Sequence, residues 1–116
     1  MDPKQSKILI VIPTYNEDVI INETVMKLRD FCEKNLQNYD WSVVIADNNS
    51  ADRTAEIVKR LAEEFAGKII YKFIPQKGKG LAIRESWKDF SADIYIFMDA
   101  DLATNLSALP PLIKSI

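Results

Sequence analysis

The chain of 116 residues has no histidine, one cysteine and only three glycines. Without histidine, a histidine-based catalytic triad is excluded. With a single cysteine, an internal disulfide and a zinc site of the usual Cys/His type are excluded as well. We expect that cysteine, Cys32, to pack as a small apolar residue on a helix.

An excess of one charge is also missing, since 15 basic and 17 acidic residues leave a net charge of −2. A dedicated nucleic-acid-binding protein concentrates basic charge on one face, so we expect no nucleic-acid partner. The longest aliphatic run, at residues 8–12, is too short to cross a bilayer, and the N-terminus lacks a secretory pattern. These absences predict a cytoplasmic location, with the cytosolic face of a membrane as the second choice, and no transmembrane segment.

What the sequence does contain is an alternation of strand and helix patterns. Apolar runs at residues 8–12, 41–46, 68–74 and 94–98 predict four strands. Helical spacing of apolar residues predicts helices over about 18–35, from the Asp52 cap to about residue 65, around Leu81, Ile83 and Trp87, and over 107–116. We expect Pro13 to stop the first strand and Gly67 to end the second helix. This order predicts one α/β domain over residues 1–116, with a mostly parallel sheet flanked by helices.

Two carboxylates follow the fourth strand, Asp99 and Asp101, with Ala100 between them. Alternate residues of a strand point the same way, so both carboxylates project to one place. Oxygen ligands of this kind suit a divalent ion such as Mg²⁺ or Mn²⁺, which can also bind the oxygens of a diphosphate. The simpler interpretation of the same residues is a solvated acidic turn.

Each predicted strand is followed by a polar loop. In a parallel sheet these loops lie at one edge, where ligands of α/β proteins bind. Any one of them could be an ordinary turn or a helix cap, but together they favour a single ligand site. The loops comprise residues 13–17, 47–52, 76–80 and 99–101.

These loops resemble those of the family 2 glycosyltransferases, whose nucleotide-sugar domain has the Rossmann-like GT-A fold. The resemblance covers nearly the whole chain and is closest to the polyprenyl-phosphate sugar transferases, including dolichyl-phosphate mannose and glucose synthases. The residues that carry it are Pro13-Thr14-Tyr15-Asn16-Glu17, Asp47-Asn48-Asn49-Ser50-Ala51-Asp52-Arg53-Thr54, Lys77-Gly78-Lys79-Gly80-Leu81-Ala82-Ile83-Arg84 and Asp99-Ala100-Asp101-Leu102.

The resemblance implies a role for each loop. Pro13, Tyr15 and Glu17 would line the nucleoside pocket, and Lys79 would face the nucleotide between two glycines that let the backbone approach. Asp99, Ala100 and Asp101 would bind the nucleotide sugar, with both carboxylates holding the metal. Arg84 would pair either with phosphate or with Glu85 or Asp89.

The second loop departs from the family pattern. Where the family often has two aspartates, the second of which reads the base, this chain has Asp47 and Asn48. An amide offers both a donor and an acceptor, so Asn48 could still pair with the base, or Asp47 could take over that contact by a small shift. Because of this departure, either a UDP-sugar or a GDP-sugar could be the donor.

The implied reaction is inverting transfer of a sugar from a nucleotide-diphosphate donor, with a polyprenyl phosphate as the expected acceptor. The metal and a lysine would stabilise the leaving diphosphate. A complete catalytic domain of the family is about twice as long, so we expect a truncated donor-binding half, with weak or no activity alone. Its uncovered surfaces would favour association with a second copy.

Three other interpretations were open from the sequence. An Asp-x-Asp after an apolar strand also begins the haloacid dehalogenase-like phosphatases, but there the motif follows the first strand. A dinucleotide site or P-loop is excluded because Gly78-Lys79-Gly80 lacks the required pattern. The third alternative is a module that binds the nucleotide without catalysis.

Overall fold

The computed structural model describes residues 6–76 and 78–99, and within α3 it does not describe the Lys79 side chain. The predictions made for Ala100, for Asp101 and for a helix over residues 107–116 lie outside the described residues.

Strands and helices alternate along the described chain. The strands are β1 (Lys7–Thr14), β2 (Asp40–Asp47), β3 (Ile69–Phe73) and β4 (Ile94–Phe97), and the helices are α1 (Ile21–Asn35), α2 (Thr54–Glu64) and α3 (Lys79–Asp89). The strands form one parallel sheet in the order β3-β2-β1-β4. The predicted parallel α/β architecture is therefore confirmed.

The sheet order reverses next to β1. From β1 the chain moves outward to β2 and then β3, whereas β4 lies on the opposite side of β1. Such a reversal opens a crevice beyond the C-terminal ends of the two strands that flank it. A ligand site is therefore expected beyond the ends of β1 and β4, whose last residues are Thr14 and Phe97.

Apolar side chains cover both faces of the sheet. One face packs under α1 and α2 and contains Ile10, Ile45 and Leu28 among its fully buried residues. The other face packs under α3, where Val11 and Val44 contact its apolar side. Alternate residues of β1 serve the two faces, which explains why its sequence is continuously aliphatic rather than alternating.

Cys32 lies within the first of these clusters, fully buried on α1. Burial raises the pKa of its thiol to about 12. The thiolate form is thus suppressed at neutral pH, and the prediction that Cys32 packs as an apolar residue is confirmed.

The prediction that Pro13 stops the first strand was wrong, because β1 continues to Thr14. On the β2 side, the Thr14 carbonyl accepts the Asn48 N–H at 2.8 Å, while Val11 accepts the Met98 N–H at 3.1 Å on the β4 side. Hydrogen-bonding sides alternate along a strand, so the nitrogen of Pro13 faces β4, beyond its last paired residue, Phe97. A proline there removes no donor from the β1–β2 ladder.

Helix boundaries also differ from the predictions. We expected α1 from about residue 18, but it begins at Ile21. Asn16 has a left-handed φ of 52°, and the Glu17 carbonyl accepts both the Ile20 and Ile21 N–H groups. A turn therefore precedes the helix. The C-cap of α2 is Phe65 rather than the predicted Gly67, which adopts a left-handed φ of 85° two residues later, in the turn that leads to β3.

Candidate functional site

The loops that follow β1, β2 and β3 are hydrogen-bonded to one another at the C-terminal edge of the sheet. We call this set of loops the rim: residues 15–20, 48–53 and 74–76. β4 ends beside the rim, because it pairs with β1 in parallel register up to Val11 and Phe97. The four polar segments predicted to share one edge do so as far as the structure describes them.

The first two loops are joined by hydrogen bonds in both directions. The Asn16 N–H donates to Ser50 Oγ at 2.9 Å, and the Ala51 N–H donates back to Asn16 Oδ1 at 2.8 Å. One residue on, the Glu17 N–H donates to Thr54 Oγ1 at 2.9 Å. These bonds fix the backbone on both sides of Glu17 and thereby the position from which its side chain projects.

Asp52 connects the same two loops and bonds to the first residue of α2, although the N-cap of that helix is Arg53 rather than the predicted Asp52. Its Oδ1 accepts the Thr54 N–H at 2.9 Å and the Thr54 hydroxyl at 2.6 Å, while Oδ2 accepts the Asp18 N–H at 3.1 Å. Burial tends to raise the pKa of the Asp52 carboxyl, but these hydrogen bonds outweigh it and lower that pKa. Asp52 is therefore held as a carboxylate and organises the rim.

Asp47 lies at the end of β2 and is almost completely buried, with 1% of its surface exposed. Its Oδ1 accepts the N–H and the hydroxyl of Ser50, and its Oδ2 accepts the Tyr71 hydroxyl at 2.7 Å. A buried carboxylate must be compensated in this way. In this arrangement Asp47 holds the loop together, and a contact with a base would require it to give up these partners.

Asn48 and Asn49 connect the second loop to the third. Asn48 Nδ2 donates to the Gln76 carbonyl at 3.2 Å, and Asn49 Nδ2 donates to the Pro75 carbonyl at 3.4 Å. Asn49 has a left-handed φ of 60°, which asparagine tolerates better than most residues. Asn48 is buried, with 6% of its surface exposed, and the bond to Gln76 uses one of the two N–H donors of its Nδ2.

The predicted nucleoside contacts lie around the end of β1. Pro13 is half-buried within the strand, Tyr15 follows it with 40% of its surface exposed, and Glu17 is half-buried. An exposed aromatic ring at a ligand edge offers an apolar surface for a planar ligand. The structure thus brings these three residues to one end of the central strand.

Asp99 lies two residues beyond the last β1–β4 register pair, as Pro13 does on β1. It is half-buried. Within residues 6–76 and 78–99, no three or more Asp, Glu, His or Cys side chains form a group that could hold a metal ion. The metal pair predicted from Asp99 and Asp101 is described only in its first member, whose carboxylate at the ligand edge has the chemistry that Mg²⁺ and Mn²⁺ require.

The basic residues of the third loop are described only in part. α3 begins at Lys79, and Gly78 before it adopts φ 140°, a conformation that favours glycine. Arg84 is exposed on α3. Asp89, one of its two predicted acidic partners, instead pairs with Lys72 of β3.

Comparison with known proteins shows which family the chain belongs to. The family model described as Glycosyl transferase family 2 matches residues 9–116. The chain belongs to glycosyltransferase family 2. This membership decides against the phosphatase interpretation, whose Asp-x-Asp motif follows a first strand.

Several curated family 2 relatives match most of the chain. A dolichol-phosphate mannosyltransferase of Pyrococcus furiosus is 33% identical over 95% of this chain and 30% of its own length. A dolichyl-phosphate beta-glucosyltransferase of Trichomonas vaginalis is 29% identical over 99% of this chain and 36% of its own length. Protein RfbJ of Shigella flexneri is 35% identical over 92% of this chain and 74% of its own length. The chain thus spans about a third of the length of the first two relatives.

Solved structures show the same fold. A mannosyltransferase from Pyrobaculum calidifontis, determined with GDP-Man and Mn²⁺, superposes with a TM-score of 0.67 at 24% identity over 85% of this chain and 28% of its own. Staphylococcus aureus TarS, residues 1–349 with UDP, gives 0.67 at 23% identity over 82% and 27%. The predicted GT-A fold of the family 2 glycosyltransferases is therefore confirmed.

Sequence reasoning missed some residues that organise this family 2 site. Tyr71 was taken only as part of a strand, and Ser50 and Asn16 only as parts of a motif. Their hydrogen bonds join residues 24 and 34 positions apart in the chain. A tyrosine in a buried strand that ends near a buried carboxylate was the one available indication.

Proposed function

We propose that the chain forms the donor-binding part of an inverting glycosyltransferase that uses a nucleotide-diphosphate sugar. The observation that carries this proposal is the hydrogen-bonded rim beside the end of β4, in a chain of family 2. A site built from backbone-fixed loops can bind a nucleotide with little cost in loop ordering.

We assign the nucleoside to the region between the first and second loops. The Tyr15 ring provides an apolar surface, and Glu17 accepts hydrogen bonds from the ribose or the base. Pro13 forms the floor at the end of β1. Asn48 reads the base through Oδ1, since Asp47 is occupied by its internal hydrogen bonds.

We assign the diphosphate to the end of β4. Asp99 and Asp101 would hold Mg²⁺ or Mn²⁺, and Ala100 between them leaves room for the donor. The ion, when bound, supplies positive charge to the leaving diphosphate. Lys79 adds a second positive charge, and Gly78 before it permits close approach of the backbone. Arg84, exposed on α3, provides a further charge at greater distance.

For the acceptor we infer a polyprenyl phosphate. The relatives that support this choice include the dolichol-phosphate mannosyltransferase and an undecaprenyl-phosphate 4-deoxy-4-formamido-L-arabinose transferase of Salmonella choleraesuis, 29% identical over 92% of this chain and 32% of its own length. The phosphate oxygen of such an acceptor is already anionic, so no general base is required. A hydroxyl acceptor would need one.

A transfer assay tests this proposal. The chain is incubated with Mn²⁺ and radiolabelled GDP-mannose or UDP-glucose, together with a polyprenyl phosphate or, as the matched control, the corresponding polyprenol. Because the chain forms only the donor-binding part, we expect little label in the lipid phase, and that label only with the phosphate. Transfer to the alcohol alone would contradict the acceptor assignment, and nucleotide binding without transfer to either would support the non-catalytic alternative.

The location and assembly of the protein remain predictions. No helix within the described part of the chain has the length and apolar character to cross a membrane. A cytoplasmic protein that works at the cytosolic membrane face would meet both a nucleotide sugar and a lipid phosphate. We also infer association with a second copy, because β3 and β4 are edge strands and carry the exposed Phe73 and Phe97.

A further inference from the structure

A continuous path of hydrogen bonds leads from β3 to the loop after β1. The Tyr71 hydroxyl donates to Asp47 Oδ2 at 2.7 Å, and Ser50 donates its own hydroxyl to Asp47 Oδ1. The Asn16 N–H then donates to Ser50 Oγ at 2.9 Å. Tyr71 is thus connected, through two side chains, to the backbone between Tyr15 and Glu17.

Tyr71 is well suited to act as a fixed donor at the start of this path. Its ring belongs to the core under α1 and α2, and Lys59 Nζ lies 5.2 Å from the ring centroid. Burial, and then the adjacent Asp47 carboxylate, raise the pKa of the Tyr71 hydroxyl well above its usual value. The hydroxyl therefore keeps its proton and always donates.

Loss of that donor would leave a buried carboxylate oxygen unsatisfied. Asp47 is 1% exposed, so solvent cannot replace the hydroxyl without local rearrangement. The other oxygen of the same carboxylate holds both the N–H and the hydroxyl of Ser50. Rotation of the carboxylate toward a new donor would release Ser50 and, with it, Asn16.

We propose that Tyr71 is a positioning residue for nucleotide binding, acting through Asp47 and Ser50 on the loop that carries Tyr15 and Glu17. This inference rests on the proposed function, since it gives Tyr71 a role in the same donor site. Tyr71 is not among the residues that the proposed function assigns to direct contact with the nucleotide.

The test compares Tyr71→Phe with Tyr95→Phe. Tyr95 is the matched control, because its hydroxyl is also hydrogen-bonded, accepting the Ala92 N–H and donating to the Phe90 carbonyl, but near the start of β4 rather than at the rim. Amide spectra of each ¹⁵N-labelled chain are recorded, and the Kd for UDP and GDP with Mn²⁺ is measured by calorimetry. Both are done at a temperature at which circular dichroism shows every variant folded.

We expect Tyr71→Phe to shift the amide signals of Asn16, Ser50 and Ala51 and to raise the nucleotide Kd about three- to tenfold. Tyr95→Phe should leave both unchanged. A merely structural role for Tyr71 would lower the melting temperature without moving the Kd of the folded protein. Equal Kd values for the unchanged chain and Tyr71→Phe would overturn the proposal.

A double variant tests the path itself. If Tyr71 acts through Ser50, then Tyr71→Phe should add little to the Kd effect of Ser50→Ala, whereas independent effects would multiply. Effects on the Kd that multiply would show that Tyr71 does not act through Ser50. Failure of the unchanged chain to bind either nucleotide would count against the proposed function instead, and the amide spectra would still decide whether Tyr71 controls the loop.

Discussion

Asp52 shows how one carboxylate serves two loops. It accepts hydrogen bonds from Thr54, at the start of α2, and from Asp18, in the turn before α1. The first contact lies one residue outside the N-cap, Arg53, and was predictable to that extent, because aspartate just before an apolar helical pattern is typical of a helix start. The second joins residues 34 positions apart, and no local rule predicts it.

Replacing this carboxylate tests its contribution to stability. Because hydrogen bonds lower the Asp52 pKa in the folded protein, the unfolded chain binds the proton more readily, and the stabilisation is lost as the pH falls through the folded value. We expect Asp52→Asn, which keeps the shape of the side chain but removes the charge from its hydrogen bonds, to cost about 1 kcal/mol at pH 7. The cost should shrink below pH about 4, where the unfolded carboxyl also becomes protonated.

Urea unfolding at pH 7 and at pH 3 measures both values. Glu63→Gln, an exposed position on the same helix, is the matched control and should change neither. A cost of Asp52→Asn that stays constant between the two pH values would show that the carboxylate charge contributes nothing.

At the scale of secondary structure, the sequence predicts element types well and their ends less well. The aliphatic run of β1 indicates a strand and the helical spacing of α1 indicates a helix, because the spacing of apolar residues shows which faces of an element are buried. The ends depend on partners elsewhere. β1 passes through Pro13 because β4 has ended beside it, and α1 starts late because Asn16 and Asp18 bond to the second loop.

Replacing either of two glycines with alanine should change the stability of the fold, but in opposite directions. Gly67 has φ 85° in the turn between α2 and β3, and an added Cβ would meet no atom within 4 Å, so its replacement costs conformational energy alone. Gly80 lies in α3 without a left-handed φ, also with open space around it. We expect Gly67→Ala to destabilise the fold by about 1 kcal/mol and Gly80→Ala to stabilise it by up to about 1 kcal/mol.

Thermal or urea unfolding of the two variants measures this difference directly. The pair is well matched, since both changes add one methyl group at a position without steric conflict. Equal effects of the two substitutions would mean that the left-handed conformation of Gly67 is not a constraint on the fold.

At the scale of the whole molecule, the sheet order decides where the site lies. Parallel strands in the order β3-β2-β1-β4 bring four chain segments to one edge, and the reversal beside β1 places the end of β4 next to Tyr15 and Glu17. Strand alternation together with the polar loops predicted this edge, because parallel pairing puts all C-terminal ends together. The hydrogen bonds that fix the loops could not be predicted, since they depend on long-range register.

The division of roles within the second loop is also a property of the assembled molecule. In the sequence, Asn48 occupies the position that reads the base in the family, and Asp47 is the alternative if it takes over that contact by a small shift. Both are buried, but both carboxylate oxygens of Asp47 accept hydrogen bonds, from Tyr71 and Ser50, whereas Asn48 donates from Nδ2 to the Gln76 carbonyl of the third loop. We therefore assign base recognition to Asn48.

The central claim is that this edge binds a nucleotide diphosphate with a divalent ion. Calorimetric titration with UDP and GDP, with and without Mn²⁺, tests it, and the same titration of an Asp99→Asn/Asp101→Asn double variant is the control. Our account predicts that one nucleotide binds only with Mn²⁺ and that the double variant loses this binding. Binding of neither nucleotide by the folded chain, or equal binding by the double variant, would contradict it.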